Sequence, residues 1–505
     1  MSKGYMYGVA AFAAIGGLLF GYDIGVISGV FEVDDFIAQF TDRAAFEAGA
    51  IIDVPGWKKG LITSMLTLGC FIGSLFSGWF ADRFGRKYSI LLASVIFCLG
   101  AALQTAAYDL GLMIPGRLIA GLSIGILSMV VPLYQSEISD PTVRGRLISF
   151  QQWAITIGIA VSFWINYGCK ISLTGPIAWR LPLGLQIVPA FLLGVGSIFA
   201  PFSPRWLIDH SREAEGLKVL AKLRSGGDES NPAVIEEYNE IKAQADIDRA
   251  QQARSYLELL RGNIRRRTLL GVFIQAFQQL TGINSVMYYA PAIFQQAGFD
   301  RTGGLLATAI NGIVNMLSTI PAILFVDKWG RRKTLMYGAV VMGIGMTIAG
   351  AMIAGFGTNV FDEKTGTYRV DMGNNIGASY TVIVFIYIFV AGFAFSWGPI
   401  AWIYPAEIFP MRVRSKGTSI TTASNWLFNY IVGLVSPILM ESITWGLYII
   451  FAAFCVIMAV SIYWWYPETK GLSLEDMDVI FADGVNPRNP QIETKNTTAD
   501  DAFKS

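Results

Sequence analysis

Two ionisable residues, Asp23 and Arg117, sit inside long apolar runs of this chain. A charge at the centre of a membrane helix costs about 2.5–3.5 kcal/mol on insertion scales, so each needs a partner or a task. At 1.5 Å per residue, Asp23 lies about 24 Å along a run that starts near Tyr7, and Arg117 about 9 Å into a run that starts near Gly111 and travels back. Both depths fall in the same half of a bilayer, so the two side chains can meet. Two readings fit: a static ion pair that holds helices together, or a protonation switch. Burial favours the protonated carboxyl and an adjacent arginine disfavours it, so parting the pair invites a proton.

A second set is polar but uncharged. In VFIQAFQQLTGINSVMYYAPAIF, Gln275, Gln278 and Gln279 share one helical face. Asn284 falls off that face unless Gly282 interrupts the winding. Other runs offer Asn311, Asn315 and Asn425, and FSWGPIAW carries Trp397 and Trp402. Amides supply donors and acceptors without charge, and an indole supplies a flat apolar face with one N–H. That combination suits a neutral polyhydroxy ring. A dicarboxylate or a phosphate ester would call for Arg or Lys there, and the C-terminal apolar runs contain neither. The competing reading is hydrogen bonding between helices by Gln and Asn.

The third set is written twice. GWFADRFGRK carries Asp82, Arg83, Gly85, Arg86 and Lys87; FVDKWGRRK carries Asp327, Lys328, Gly330, Arg331, Arg332 and Lys333. Each is followed by a Glu-to-Arg phrase with a spacing of seven, Glu137 to Arg144 and Glu407 to Arg414. Lys and Arg alone would serve membrane topology. The acidic partners allow an ion network between helix ends, able to close one side of a membrane and break when the halves rock. An ordered repeat of this kind implies a duplicated membrane protein, typically a transporter.

The elements that must position these residues are membrane helices. The chain has 505 residues, of which 53% are hydrophobic and 15% charged, against about 25% charged in soluble domains. Crossing the hydrocarbon takes about 20 apolar residues. Twelve segments qualify: 7–30, 61–81, 88–107, 111–136, 147–168, 181–202, 268–298, 302–326, 334–356, 379–405, 417–440 and 442–466. The basic turns at 82–87, 144–146, 327–333 and 412–416 alternate with nearly bare ones, which places them, both termini and the 203–267 loop in the cytoplasm. The first run is too long for a signal peptide and lacks a small-residue cleavage site, so it reads as a retained helix. Within 203–267, REAEGLKVLAKLR and AVIEEYNEIKAQADIDRA have helical charge spacing, either as a solvated linker or as a latch. The tail begins amphipathic and ends polar, with a disordered end expected.

The expected organisation is an N-terminal six-helix bundle over 1–202, a cytoplasmic helical linker over 203–267, a C-terminal six-helix bundle over 268–466 and a cytoplasmic tail over 467–505. The net charge of +1 argues against nucleic-acid binding. Four scattered cysteines (Cys70, Cys98, Cys169, Cys455) form no CxxC pair, so no disulfide or metal framework is expected. The single histidine, His210, lies in a polar loop. No catalytic constellation is evident, and no enzyme activity, metal or cofactor is expected.

The ordered phrases GGLLFGYDIGVISG (16–29), DRFGRK (82–87), GRLIAGLSIG (116–125), SPRWL (203–207), QQLTGINSVMYYAP (278–291), VDKWGRR (326–332), SWGPIAW (396–402), NWLFNY (425–430) and PETKGLSLE (467–475), with the two Glu-to-Arg phrases, resemble the sugar porter family of the major facilitator superfamily across about 8–480. The resemblance implies an all-α polytopic membrane protein, two six-helix bundles around a central sugar site, working by alternating access as a monomer. It implies sugar contacts at Gln278, Gln279, Asn284, Asn315 and Trp402, with Phe20 and Asn425 nearby, and an external gate at Tyr288 and Tyr289. Asp23 matches the carboxylate of proton-coupled members, where facilitative animal relatives carry Asn. Two departures stand out: Ile159 follows Gly158 where many proton-coupled members have Gln, and Phe202 replaces an acidic residue before SPRWL. The overall resemblance is to fungal proton-coupled hexose transporters of the plasma membrane, with glucose the leading substrate and a proton gradient the driving force. A facilitative uniporter and a sugar sensor on the same fold are the alternatives. Sensors tend to have long tails, and only about 35 residues follow PETKG.

Overall fold

In a bilayer every backbone polar group must be satisfied internally, which leaves long apolar runs one stable form, the helix. The computed structural model describes residues 2–41, 43, 54–140, 143–250, 256–362, 367–372, 375–470 and 481. Ten of its helices are long and apolar enough to span. One of them, Gly56–Ala106, holds two spans. A straight helix of 51 residues would reach roughly 76 Å, more than twice the hydrocarbon. The chain instead turns at Gly85, where φ is +79° and ψ is 165°, a conformation open to glycine and costly for other residues.

The remaining span is broken too finely to meet a length criterion. Span seven runs Gly262–Leu280, Ile283–Tyr288 and Ala290–Gln296, interrupted at Gly282 with φ +88°. The twelve spans therefore match those read from the sequence, but two are not continuous rods. Besides span seven, span ten breaks at Ser396, where φ is −128° and ψ is −84°. Pro399, three residues after Ser396, cannot donate to the carbonyl of Phe395, which permits the last break.

Six spans precede and six follow a linker of helices Pro204–Asp209, Glu213–Arg224 and Pro232–Ala250, closed by the 3-10 turn Tyr256–Leu260. The linker has a small core of its own, including Ile208, Leu220, Val234 and Ile241. Arg224 fixes it to the first bundle: its guanidinium donates to the carbonyls of Ile138 (2.8 Å) and Ser139 (3.0 Å), at the end of span four. A hairpin pairs Thr358–Asp362 with Thr367–Asp371 between spans nine and ten, and its Val370 packs into the main core. The tail's expected amphipathic start and disordered end lie outside the described residues.

Candidate functional site

Span eleven, Met411–Ser442, carries Asn425, Asn429 and Gly433 at successive four-residue steps, so they form one stripe. That stripe faces span seven. The fully buried Asn425 donates to Gln275 Oε1 and Gln278 Oε1, both at 2.6 Å, and accepts from Gln279 Nε2 at 2.9 Å. Asn284 Nδ2 donates to Gln279 Oε1 at 2.7 Å. The left-handed turn at Gly282 is what brings Asn284 back to the glutamines. Further along the stripe, the Tyr288 hydroxyl donates to Asn429 Oδ1 (3.1 Å) and that of Tyr289 to the Gly433 carbonyl (2.7 Å).

Span ten supplies backbone acceptors. Gln275 Nε2 donates to the Ala401 carbonyl at 2.7 Å, which is available because residue 405 is proline and has no N–H. Gln278 Nε2 donates to the carbonyls of Trp397 and Gly398 at 3.0 and 3.1 Å. Trp402 faces the first bundle, where Phe20 lies 6.4 Å from it and 4.9 Å from Trp426, centroid to centroid. Trp397 turns the other way, its indole bonded to the Leu335 carbonyl at 2.9 Å, so it is a packing residue. Asn311 and Asn315 on span eight each keep a buried carbonyl oxygen with no partner among protein atoms. Buried polar atoms are normally paired, so these acceptors suit a hydroxylated ligand.

The first bundle holds the opposite chemistry. Asp23 and Arg117 are both fully buried and meet at 2.6 Å. Arg117 also donates to the Ile62 carbonyl (3.2 Å) and Gln104 Oε1 (3.5 Å). Asp23 Oδ2 and Arg117 Nη2 have no partner among protein atoms, so one carboxylate oxygen and one guanidinium nitrogen stay unengaged. Gly158 packs against the backbone of Leu18 and Tyr22, and the buried Ile159 follows it. Span five thus meets span one by close backbone approach at Gly158, and further along through Asn166, which donates to the Val26 carbonyl at 2.9 Å.

At the charged end of the molecule the two copies of the repeat form one arrangement twice. Arg86 Nη2 pairs with Glu137 at 2.7 Å, and Arg331 Nη2 with Glu407 at 2.7 Å. Each arginine also donates Nη1 to a carbonyl five positions earlier, Ala81 or Val326. Gly85 and Gly330, with φ of +79° and +87°, let each chain reverse just before its arginine. Asp82 lies 3.8 Å from Arg86 and accepts from Lys416 at 3.0 Å. That last pair joins the two halves, with Arg86 to Ser415 beside it at 3.4 Å. Arg83 is exposed on a cavity of 330 Å³ at this end. Arg414 donates Nε to the Phe409 carbonyl at 3.2 Å. The side chains of Arg144 and Asp327 lie outside the described residues.

Sequence reasoning missed several of these partners. Lys416 follows Arg414 by two residues in a basic turn and gave no separate signal. Glu468 accepts from the backbone N–H groups of Arg331 (2.8 Å) and Arg332 (3.1 Å), at the N-terminus of span nine. Trp206 stands over Gly85 and donates to the Asp82 carbonyl at 2.9 Å. Both belong to phrases noted for resemblance only, PETKG and SPRWL. Asn429 could have been found as the next turn after Asn425.

Two six-helix bundles, matched ion pairs at one end and a polar, uncharged zone in the interior define a membrane carrier of the major facilitator type. The chain belongs to the sugar transporter family: the pattern described as "Sugar (and other) transporter" matches residues 9–481. It is 38% identical over 495 residues to the MFS glucose transporter mfs1 of Aspergillus flavus, covering 96% of this chain and 91% of that one. It is 36% identical to the H(+)/hexose cotransporter 2 of Parachlorella kessleri, covering 95% and 87%. Among solved structures, the proton:xylose symporter XylE bound to 6-bromo-6-deoxy-D-glucose superposes with a TM-score of 0.78 at 28% identity, covering 95% of this chain and 100% of that one. An inward-open conformation of XylE from E. coli superposes with 0.70. Members of this family are transporters and not enzymes, and this chain is a multi-pass membrane protein.

Proposed function

We propose that the protein is a proton-coupled hexose symporter, with glucose its principal substrate, working by alternating access between bundles 1–202 and 268–466. The observation that carries the reading is the separation of two chemistries. Away from the charged end, one bundle buries the ion pair of Asp23 and Arg117 at 2.6 Å; the other buries an uncharged amide ladder centred on Asn425. Gln278, Gln279, Asn284, Asn315, Trp402 and Asn425, with Phe20 across the interface, would bind sugar hydroxyls and the apolar sugar face. A sugar arriving there has to displace amide-to-amide bonds, and so reorganises span seven and the tyrosines of its outer part.

Asp23 would carry the proton. A carboxylate that loses its guanidinium partner while still desolvated takes a proton more cheaply than it stays charged. The 327–333 and 82–87 turns would face the cytoplasm with both termini, the linker 203–267 and the tail 467–505, in a plasma membrane. There the Arg86–Glu137 and Arg331–Glu407 pairs, with Asp82 to Lys416 between the halves, would act as the inner lock. Tyr288 and Tyr289 would act as the external gate. No cofactor is required beyond the proton gradient, and one copy of the chain is sufficient. The test is uptake of labelled hexose into proteoliposomes with and without an imposed pH gradient, with competing hexoses and pentoses. Gradient-dependent accumulation is expected. Transport indifferent to the gradient would make the protein a facilitator, and sugar binding without transport a sensor.

A further inference from the structure

The inner end has its repeated lock; the opposite end has charges that no repeat predicts. Span one ends at Val30, and Glu32 follows it, 5% exposed. Its Oε2 accepts from Gln295 Nε2 at 3.1 Å and lies 3.7 Å from Arg301 Nε. Arg301 Nη1 lies 3.6 Å from Asp34 Oδ1. Glu32 and Asp34 belong to the first bundle, Gln295 and Arg301 to the second.

The acidic side is anchored. The short helix Asp34–Phe40 is fastened to the first bundle by Lys170 to Asp34 (2.8 Å) and by the Trp179 indole to Asp35 (3.0 Å). The basic side is attached to a part that must move. Gln295 ends the last piece of span seven, immediately after the tyrosine pair, and Arg301 opens span eight. Both line a cavity of 310 Å³ that also reaches Tyr289 and, from the first bundle, Lys59. These charges therefore meet where the outer part of span seven leans on the end of span one.

We propose that Glu32, Asp34, Gln295 and Arg301 form an outer latch, with Arg301 the positioning residue that holds the end of span seven against span one and so keeps the external mouth shut. This rests on the alternating-access reading above. The latch is built differently from the inner lock. There the Arg86–Glu137 and Arg331–Glu407 pairs each lie within one bundle and only Lys416 to Asp82, with Arg86 to Ser415, crosses; in the latch Arg301 itself crosses to the first bundle and must release whenever the two part. Only Glu32 is deeply buried; Asp34 is 58% exposed at its side chain. A half-wet pair of this sort is weak enough to break in every cycle.

The test uses the full chain in intact cells, with the four native cysteines replaced and Gly433→Cys introduced. A Cβ at Gly433 meets Tyr288 and Thr63 at ordinary contact distances of 3.7 and 3.8 Å, so the thiol fits behind the gate tyrosines. Labelling by a membrane-impermeant maleimide then reports opening of the mouth. Arg301→Met and Glu32→Gln are expected to label about two- to fivefold faster, the shift that losing a pair of this class produces. Arg301→Lys, which keeps the charge, should label within about twofold of the parent. Arg301→Met should also lower the external KM and the maximal rate of hexose uptake together, because the outward-competent fraction rises while the return step slows. If Arg301→Met and Glu32→Gln label no faster than the parent, or Arg301→Lys behaves like Arg301→Met, the latch is wrong. If the wild-type chain takes up no hexose at all, the carrier reading fails instead, and the labelling still decides the latch.

Discussion

The two bundles share an end and differ in the middle. At the charged end, Arg86 with Glu137 and Arg331 with Glu407 repeat one geometry down to the carbonyl that each arginine also bonds. In the interior nothing repeats. The first bundle has a fully buried ion pair, with Ile159 buried on span five; the second has four amides sharing hydrogen bonds around Asn425, and keeps its arginines and lysines, such as Arg267, Arg331 and Arg414, at the ends of its helices. The repeated phrases thus build one common arrangement at the charged end, while the interiors differ in kind, a buried ion pair on one side and an uncharged amide ladder on the other. Even the shared ends are not identical. Glu407 has both oxygens engaged, by Arg331 and by Thr469 at 2.9 Å, while Glu137 Oε2 has no partner.

Damage to the amide ladder should give the largest effect. Asn425→Ala removes a hub that bonds three glutamines; with about 0.5–1.5 kcal/mol net per hydrogen bond, hexose affinity should fall about ten- to a hundredfold. The pH dependence of the remaining uptake should be unchanged, as read by binding and by uptake across a pH series. Damage to the ion pair should do the reverse. A gradient of one pH unit stores about 1.4 kcal/mol per proton, enough for about tenfold accumulation at one proton per sugar. Asp23→Asn should reduce accumulation to equilibrium and flatten the pH dependence, with sugar binding retained.

The shared ends should respond more modestly and unequally. Glu407→Gln strands more bonds than Glu137→Gln, by about one or two hydrogen bonds, or about 1–2 kcal/mol. Its thermal midpoint should fall about 1–2 °C further below wild type, measured by intrinsic fluorescence in detergent. Lys416→Met removes a partly exposed bridge to Asp82 worth about 0.5–1 kcal/mol. It should raise labelling from the inner side about two- to fivefold, with the difference shrinking at high salt.

The span count, the duplication and the meeting of Asp23 with Arg117 were legible in the sequence because each follows from hydropathy, charge spacing or depth. So was Asn284, once Gly282 was read as an interruption. Lys416 and Glu468 were not, since a single charge in a basic or polar turn does not announce a partner more than 130 residues away. The break at Ser396 was also hidden, because apolar composition reports a span's length and not its continuity. The outer latch escaped for a related reason: Glu32 and Arg301 lie in turns of mixed charge, which topology rules treat as neutral.

The central claim is that the proton belongs to one bundle and the sugar to the other. It is tested most directly by sugar-driven proton uptake in proteoliposomes containing a trapped pH-sensitive dye, with no imposed gradient. Wild-type protein should acidify the lumen when hexose is added outside. Asp23→Asn should exchange labelled hexose and leave the lumen pH unchanged. Hexose-driven acidification by Asp23→Asn, at a rate comparable to wild type, would contradict the account.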